Sequence, residues 1–402
     1  MSVRRQRRSL ATRALATRAL ATRALATHAL ATRALAACAL AACGDPEAEG
    51  GERGWLTRWG SEVIIAGERE CPPLALPRPR YAPLGGALRP YYGERLRLEW
   101  RARPYSLREG AWGAWGAWEG RGAYPLEREG VWEVSARAVG VVEGAGGEGG
   151  EGEEGDEGWA GPLPPLSGAC LRALVGQEAR RELLVTASFP GGAEDPARGA
   201  LTAEDPRVIG WAEEVTALTL GEGLAEGAAR PEEALGVAEG HPVRALSLGE
   251  GGRVTLRLST PAADTPGADL GVFENSFNHT FLELGFVEVS SDGHTFARLP
   301  SAYLGEERLG PFGEQPPEQI SGLAGSTQGG AAEGLDLASL AGHPAVEMGL
   351  INPQEINYIR VVDIIGDGRA HDTLSRPIYD PYPTALSAGF DLDGVCALGP
   401  TR

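Results

Sequence analysis

The run from Phe281 to Val289 constrains the fold of this chain more than any other stretch of its sequence. The run is almost continuously apolar, which is typical of a strand buried between two sheets. Asp292 and Gly293 follow it, and this pair favours a hairpin turn into a further strand at Thr295 to Leu299. The whole stretch 267–300 therefore predicts paired strands that form part of a core.

Other segments of the C-terminal half show the same preference for strands. Apolar and polar residues alternate through 253–258, and further apolar strands are expected at 356–365 and 390–398. In the last of these, alternation would place Asp391 and Asp393 on one face and Phe390, Leu392 and Cys396 on the other. We therefore predict an all-β fold with a jelly-roll-like β-sandwich at residues 176–402.

The preceding residues, 55–175, predict a smaller β-rich domain. Trp100 lies between Cys71 and Cys170, which suggests an immunoglobulin-like arrangement, although the spacing fits that pattern poorly. Residues 143–158 are an acidic Gly/Glu segment with too few apolar side chains to fold, so a disordered loop is expected.

Three tryptophans, Trp112, Trp115 and Trp118, are spaced three residues apart in this domain. An exposed aromatic row could stack on a sugar, whereas a loop packed on its own domain would bury the same rings. The sequence leaves both alternatives open.

The first 43 residues predict a lipoprotein signal peptide. Arginines interrupt a repeated Leu-Ala-Thr-Arg-Ala pentad, so no run reaches the roughly 20 apolar residues of a membrane span. A short apolar segment then ends in Leu40-Ala41-Ala42-Cys43, which resembles a bacterial lipobox. Cys43, or alternatively Cys38, would carry palmitate-type acyl chains, with 44–54 as a tether. The competing interpretation is two ordinary cysteines in an alanine-rich signal, and the true start codon is left open.

The charge and the missing residue types exclude several functions. Eight arginines and no acid precede Cys43, which leaves 29 basic and 55 acidic residues, a formal charge of −26. Such a surface repels nucleic acid and anionic lipid, so membrane contact is expected only through the lipid anchor. The chain contains no Lys and none of the H-E-x-x-H, C-x-x-C or G-x-S-x-G motifs, so we expect no enzyme.

Three cysteines remain after export, and they predict one bridge. In an oxidising compartment Cys71 and Cys170 can form a disulfide, which would leave Cys396 as a buried thiol in the last strand.

Acidic residues at the edges of the predicted strands suggest a metal site. Calcium prefers a mixture of carboxylate, amide and backbone oxygens. Because the first and last strands of a jelly roll are neighbours, we expect one structural Ca²⁺ site formed by Asp269, Glu274, Asp391 and Asp393. The alternative is that Asp391 and Asp393 are solvated and that Glu274 caps a loop.

The segment 378–383 could form a recognition loop. It presents Tyr379, Asp380 and Tyr382 between prolines, and amphipathic rings on a stiff loop suit a flat or polyhydroxylated ligand. The alternative is a loop whose rings pack over the end of the sandwich.

Several motifs in collinear order resemble a bacterial family known as cell surface proteins. They are GADLGVFENSF, FLELGFVEVSSDGHTFARLP, GLAGSTQGG, LDLASL, INYIRVVDIIGDG, PIYDPYPT and GFDLDGVCAL, within residues 230–400. The resemblance implies an exported β-sandwich lipoprotein that accompanies outer-membrane uptake components, including those for cobalamin. Gly394 and the short loop around Asn278 depart from the family pattern.

The resemblance carries over particular residues and a function. The residues implied for ligand or metal contact are Glu274, Asn275, Asp367, Asp380, Tyr382, Asp391 and Asp393. The expected function is a surface-anchored, non-catalytic lipoprotein at the outer membrane that captures a small ligand or glycan, with an outer-membrane receptor as a partner. The alternative is a structural or adhesive envelope protein.

Overall fold

The structure is a computed structural model, and it describes residues 64–66, 69–79, 81–105, 113–143, 163–164, 166–189, 201–241, 243–327 and 329–400. The signal peptide, Cys38, Cys43, the tether, Trp112 and residues 144–158 of the acidic loop lie outside these ranges. Strands account for 38% of the structure and helices for 9%, so the prediction of an all-β sandwich is confirmed.

The described residues form 22 strands, two short α-helices and four 3-10 turns. The strands are β1 Ile64–Ala66, β2 Arg69–Cys71, β3 Tyr81–Pro83, β4 Ala87–Leu88, β5 Leu96–Pro104, β6 Glu119–Gly120, β7 Tyr124–Pro125, β8 Gly130–Val141, β9 Glu178–Thr186, β10 Leu201–Thr202, β11 Val208–Thr219, β12 Leu246–Ser247, β13 Arg253–Ala262, β14 Leu270–Glu274, β15 Gly285–Ser290, β16 Ala297–Arg298, β17 Ala302–Tyr303, β18 Ile320–Ser321, β19 Ala331–Ala332, β20 Gly334–Leu335, β21 Ile356–Asp363 and β22 Asp391–Leu398. The helices are α1 Gly168–Leu174 and α2 Pro344–Glu347, and the 3-10 turns are Gly93–Arg95, Pro231–Ala234, Pro317–Gln319 and Leu337–Leu340.

We call the part of the structure that contains β1 to β9 and α1 the first lobe. It contains a five-stranded sheet in the order β3-β9-β8-β5-β6. This sheet continues to Thr186, past the boundary expected at residue 175, because Ala179, Leu183 and Val185 of β9 are buried in the same core as Trp100. This sheet therefore contains residues from both sides of the expected boundary.

The predicted Cys71–Cys170 disulfide is present and joins β2 to α1. In an immunoglobulin domain the bridge joins two facing sheets. Moreover, β3 runs parallel to β9 in this lobe. The first lobe therefore departs from the immunoglobulin-like arrangement that the sequence suggested.

The tryptophan row packs against its own sheet as far as it is described. The Arg101 guanidinium lies between the rings of Trp115 and Trp118, 4.3 and 4.5 Å from their centroids. Arg137 contacts the Trp118 ring at 4.1 Å, and both tryptophans are half-buried. These stacked pairs support the packed loop over the exposed row.

The larger sheet has the order β16-β15-β21-β13-β11-β22-β14-β20, with β12 paired to β22. It curls into two layers, since one core contains apolar side chains from β13, β15 and β21 together with those from β14 and β22. The long strand β11 makes the corner, because it pairs with β22 through its first residues and with β13 through the rest. Each of these two pairings contains register shifts. This is the predicted sandwich of the C-terminal half.

The last strand contains a register shift opposite Phe273 and Glu274. As a result, Leu392, Val395 and Ala397 belong to the core between the layers, whereas Cys396 packs with Phe273 on the outer face. The prediction that Cys396 shares the face of Leu392 was wrong, because one extra residue changes the alternation. Cys396 is a buried free thiol, as expected.

Candidate metal centre

One end of the sandwich gathers the termini of several strands. β14 and β21 end there, and β13, β15 and β22 begin there, since each pairs antiparallel with its neighbours. Six acidic residues lie at these termini or in the loops beside them, and we call them the acidic end cluster: Glu250, Glu274, Glu283, Asp363, Asp380 and Asp391. All except Glu250 are at most 6% exposed.

Backbone amides donate hydrogen bonds to four of these six carboxylates, and those to Glu274 come from Asn275 and Ser276. Asp363 accepts hydrogen bonds from the Gly251 amide at 2.6 Å and the Phe390 amide at 2.7 Å. Asp380 accepts one from the Leu284 amide at 3.1 Å, and Glu250 accepts one from the Thr384 amide at 2.7 Å. These carboxylates therefore fasten loops to strands, which requires no additional ligand.

Three members of the cluster, Glu274, Glu283 and Asp391, each keep one buried oxygen without a hydrogen-bond partner. These atoms are Oε2 of Glu274, Oε1 of Glu283 and Oδ1 of Asp391. Glu274, Glu283 and Asp391 are 2%, 4% and 6% exposed, so bulk water does not solvate their carboxylates. A buried polar atom without a partner costs about 1–3 kcal/mol, and more when it is charged.

Glu288 provides an internal comparison, because it is equally buried at 2% exposure. Its carboxylate contacts Arg298 Nη2 at 2.9 Å and Arg360 Nη1 at 3.2 Å. At this buried position, therefore, two arginines neutralise the charge of the acid. In the acidic end cluster the neighbouring charge of Glu274 comes from Glu283 and Asp391, which are acids.

The electrostatics of the cluster follow from this arrangement. Burial, and then the charges of Glu283 and Asp391, raise the pKa of Glu274 well above its usual value. Burial raises the pKa of Asp363 to about 7 and that of Asp391 to about 6. Arg230 acts on Asp391 in the opposite direction, but its guanidinium also binds Glu233 and the Val243 carbonyl.

A glycine permits the close approach of two loops beside the cluster. Gly389 has a φ of 67°, and a Cβ there would lie 2.6 Å from the Gly249 carbonyl oxygen and 2.7 Å from Asp363 Oδ1. A larger residue would separate β22 from the loop before β13.

The structure brings together only part of the predicted metal set. Glu274 and Asp391 lie close together in the acidic end cluster, where β14 pairs with β22 and the backbone amide of Asn275 donates to the Asp391 carbonyl. Asp269 lies five residues before Glu274, or about 16 Å along an extended strand, and accepts bonds from Thr265 and from the Leu337 amide. Asp393 accepts bonds from the Glu239 and Gly240 amides instead.

A second acidic group lies at the opposite end of β14. Asp264, Asp269 and Asp336 bring one oxygen each within 4.8 Å of one another, beside a cavity of about 320 Å³. However, Asp269 uses both oxygens for the bonds from Thr265 and Leu337, and Asp336 caps a turn through the Ala338 amide. These bonds account for the carboxylates of Asp269 and Asp336 as parts of turns.

The predicted ligand-binding residues are similarly divided. Asp380 belongs to the acidic end cluster, and the Asn275 amide donates to the Asp391 carbonyl at 3.0 Å. Asp367 pairs with Arg369 at 2.6 Å, and the Tyr379 ring packs against Gly368. Tyr382 is half-buried at the end of the same loop. The packing of Tyr379 favours the alternative in which the loop covers the sandwich.

Sequence reasoning did not select Glu250, Glu283 or Asp363 for the metal site. Glu283 precedes β15 and Asp363 ends β21, and each interrupts an otherwise apolar run. That interruption is the signal that could have identified them. Glu250 lies in a glycine-rich turn and gives no such signal.

No protein-family model matches this chain, and no curated protein matches it. None of the helices in the described ranges is long and apolar enough to cross a membrane.

Proposed function

We propose that this chain is an exported, envelope-anchored and non-catalytic binding protein for a small ligand or a glycan. The observation that carries the proposal is the Cys71–Cys170 disulfide, which joins residues 99 apart with a Cα–Cα distance of 5.3 Å. Structural disulfides form and persist mainly in exported proteins. The lipobox-like segment ending at Cys43, or the earlier Cys38, supplies the anchor in this proposal.

The burial of the acidic end cluster supports a function other than catalysis. A general acid or base must come within hydrogen-bond distance of its substrate. Glu274, Glu283 and Asp380 are 2%, 4% and 2% exposed, so these carboxylates suit a structural role better than turnover. The calcium ion that the sequence predicts would likewise have a structural role in this proposed function.

A recess on the first lobe suits the ligand. It has a volume of about 210 Å³, and Tyr124 and Trp132 line it together with Arg121, Arg128 and Glu119. Aromatic faces beside charged hydrogen-bonding groups are the combination that binds sugars and other flat polar molecules.

A structural envelope protein is the second candidate. The observation that favours it is the anchoring of the loop 378–383. The Tyr379 carbonyl accepts a hydrogen bond from the Tyr303 hydroxyl at 2.8 Å, and the ring of Tyr379 packs on Gly368. A loop held in this way is part of the scaffold rather than a free recognition surface.

Anchoring is tested by producing the full chain in a bacterial host supplied with a clickable palmitate analogue. We expect label in the membrane fraction, its loss in Cys43→Ala and its retention in Cys38→Ala. Loss only in Cys38→Ala would move the anchor to the earlier cysteine, and an unlabelled wild type would reject the lipoprotein.

Ligand capture is tested by titrating the purified protein with cobalamin and with an oligosaccharide panel. Binding that is lost in Trp132→Ala, with the fold intact by circular dichroism, would support the recess. Absence of binding, together with no receptor gene for outer-membrane uptake beside this gene, would favour the structural envelope protein.

A further inference from the structure

We propose that one calcium ion binds at the acidic end cluster, with Glu274, Glu283 and Asp391 as its carboxylate ligands. This inference deepens the proposed function and rests on it only for the compartment, because calcium is plentiful outside cells. The residues differ from the set expected from the sequence: Glu283 is added, and Asp269 and Asp393 are left out.

The partnerless oxygens are the first argument. Glu274 Oε2, Glu283 Oε1 and Asp391 Oδ1 are buried, and no hydrogen-bond donor contacts them. The Thr384 hydroxyl lies beside both Glu250 and Glu283, but a hydroxyl has one proton and donates it to Glu250 at 2.9 Å. Buried anions of this kind are paired or coordinate a metal.

The second argument is that, in the part of the chain that the structure describes, no salt bridge joins Glu274, Glu283 or Asp391 to an arginine, and Arg230 acts on Asp391 without forming one. Arg298 and Arg360 neutralise the equally buried Glu288 on β15. Glu283 lies just before the same strand, and its charged neighbours are Asp391, Asp363 and Glu250. A divalent cation between these carboxylates would attract each of them and would thereby offset their mutual repulsion.

The chemistry of the donors selects calcium. All six members of the cluster offer carboxylate oxygens, and Ca²⁺ accepts six to eight oxygen ligands at 2.3–2.6 Å. Zn²⁺ prefers Cys and His, and Mg²⁺ keeps several waters, which a buried site accommodates poorly.

Binding would also draw the side chains together. In the described residues, Asp264, Asp269 and Asp336 form the group with oxygens already within 4.8 Å of one another. The partnerless oxygens of Glu274, Glu283 and Asp391 would therefore move toward a common centre, while both oxygens of Asp363 stay fixed by their backbone bonds. The ion would then fasten the end of β14 to the starts of β15 and β22.

The test is calorimetric titration of the full-length, chelator-treated protein with CaCl2, together with thermal unfolding with and without the ion. We expect one ion per chain and a melting temperature that rises by several degrees. Glu274→Gln/Glu283→Gln should weaken calcium binding at least tenfold while raising the melting temperature in calcium-free buffer, because repulsion is removed.

Two variants serve as controls. Asp336→Asn alters the second acidic group and should bind calcium as the wild type does, and Glu288→Gln should destabilise the protein without changing calcium affinity. Asp391→Asn repeats the test if the double variant does not fold. No calcium binding by the wild type, binding lost in Asp336→Asn, or preference for ZnCl2 or MgCl2 would each overturn the proposal. None of these outcomes bears on palmitate labelling, so the anchoring proposal is judged separately.

Discussion

Asp363 at the end of β21 accepts a hydrogen bond from the backbone amide of Phe390, immediately before β22, at 2.7 Å. β21 belongs to one layer of the sandwich and β22 to the other. The second oxygen of the same carboxylate accepts the Gly251 amide at 2.6 Å. One side chain thus fastens the two layers and the loop before β13.

Replacing Asp363 by Ala should destabilise the protein by roughly 3 kcal/mol, since two buried amides lose their acceptor. Urea unfolding followed by circular dichroism measures the loss. The matched control is Asp367→Ala, which removes a carboxylate that pairs locally with Arg369 and should cost less than about 1 kcal/mol. Equal effects of the two substitutions would contradict the bridging role.

Reducing the Cys71–Cys170 disulfide should lower stability by about 4 kcal/mol, because the bridge closes a long loop in the unfolded chain. Unfolding midpoints with and without reductant measure this. The variant Cys71→Ala/Cys170→Ala should be insensitive to reductant. A midpoint in the wild type that reductant leaves unchanged would show that the bridge does not stabilise the lobe.

Replacing Glu288 and replacing Glu283 by the neutral residue Gln should change the free energy of unfolding in opposite directions in calcium-free buffer. Glu288→Gln should destabilise by about 3 kcal/mol, as it breaks a buried ion pair with Arg298 and Arg360. Glu283→Gln should stabilise, because it removes a buried charge that faces other acids. Chemical denaturation of both variants in chelator decides the matter, and a loss of stability in both would contradict the electrostatic account.

Asp372 should make the protein less stable as the pH rises. Burial raises the pKa of Asp372 to about 6 from 3.8, so the folded state holds this proton more tightly than the unfolded chain. Its stabilising contribution is complete below pH 4 and is lost as the pH rises through 6, by about 3 kcal/mol.

The comparison of wild type with Asp372→Asn isolates this contribution, since asparagine does not titrate. The stability advantage of the wild type should shrink by about 3 kcal/mol between pH 4 and pH 8. Urea unfolding at several pH values provides the measurement. An advantage that stays constant with pH would show that the amides of Tyr303, Leu374 and Arg376 already compensate the charge.

Much of the fold could be predicted from local patterns. The apolar run at 281–289 predicted a central strand, and β15 lies there with β21 on one side and the short β16 on the other. The pairing of Cys71 with Cys170 and the burial of Cys396 were also predicted correctly. These features depend on side-chain period and on cysteine number, which a sequence displays directly.

The candidate site was predicted only in part. Glu274 and Asp391 were selected because they lie at the edges of strands that the expected fold makes neighbours, and they do meet. Asp269 and Asp393 were selected by the same argument, but an extended strand separates Asp269 from Glu274, and Asp393 binds the Glu239 and Gly240 amides beside the register shift in β22.

The sequence by itself determined that this chain forms strands, where most of the core strands lie, which cysteines pair and that its surface is strongly acidic. Only the tertiary structure decided which acids are buried together, because that depends on strand order, on register and on the corner made by β11. The six carboxylates are separated by up to 141 residues along the chain, from Glu250 to Asp391. They become neighbours solely because antiparallel pairing brings five strand termini to one end of the sandwich.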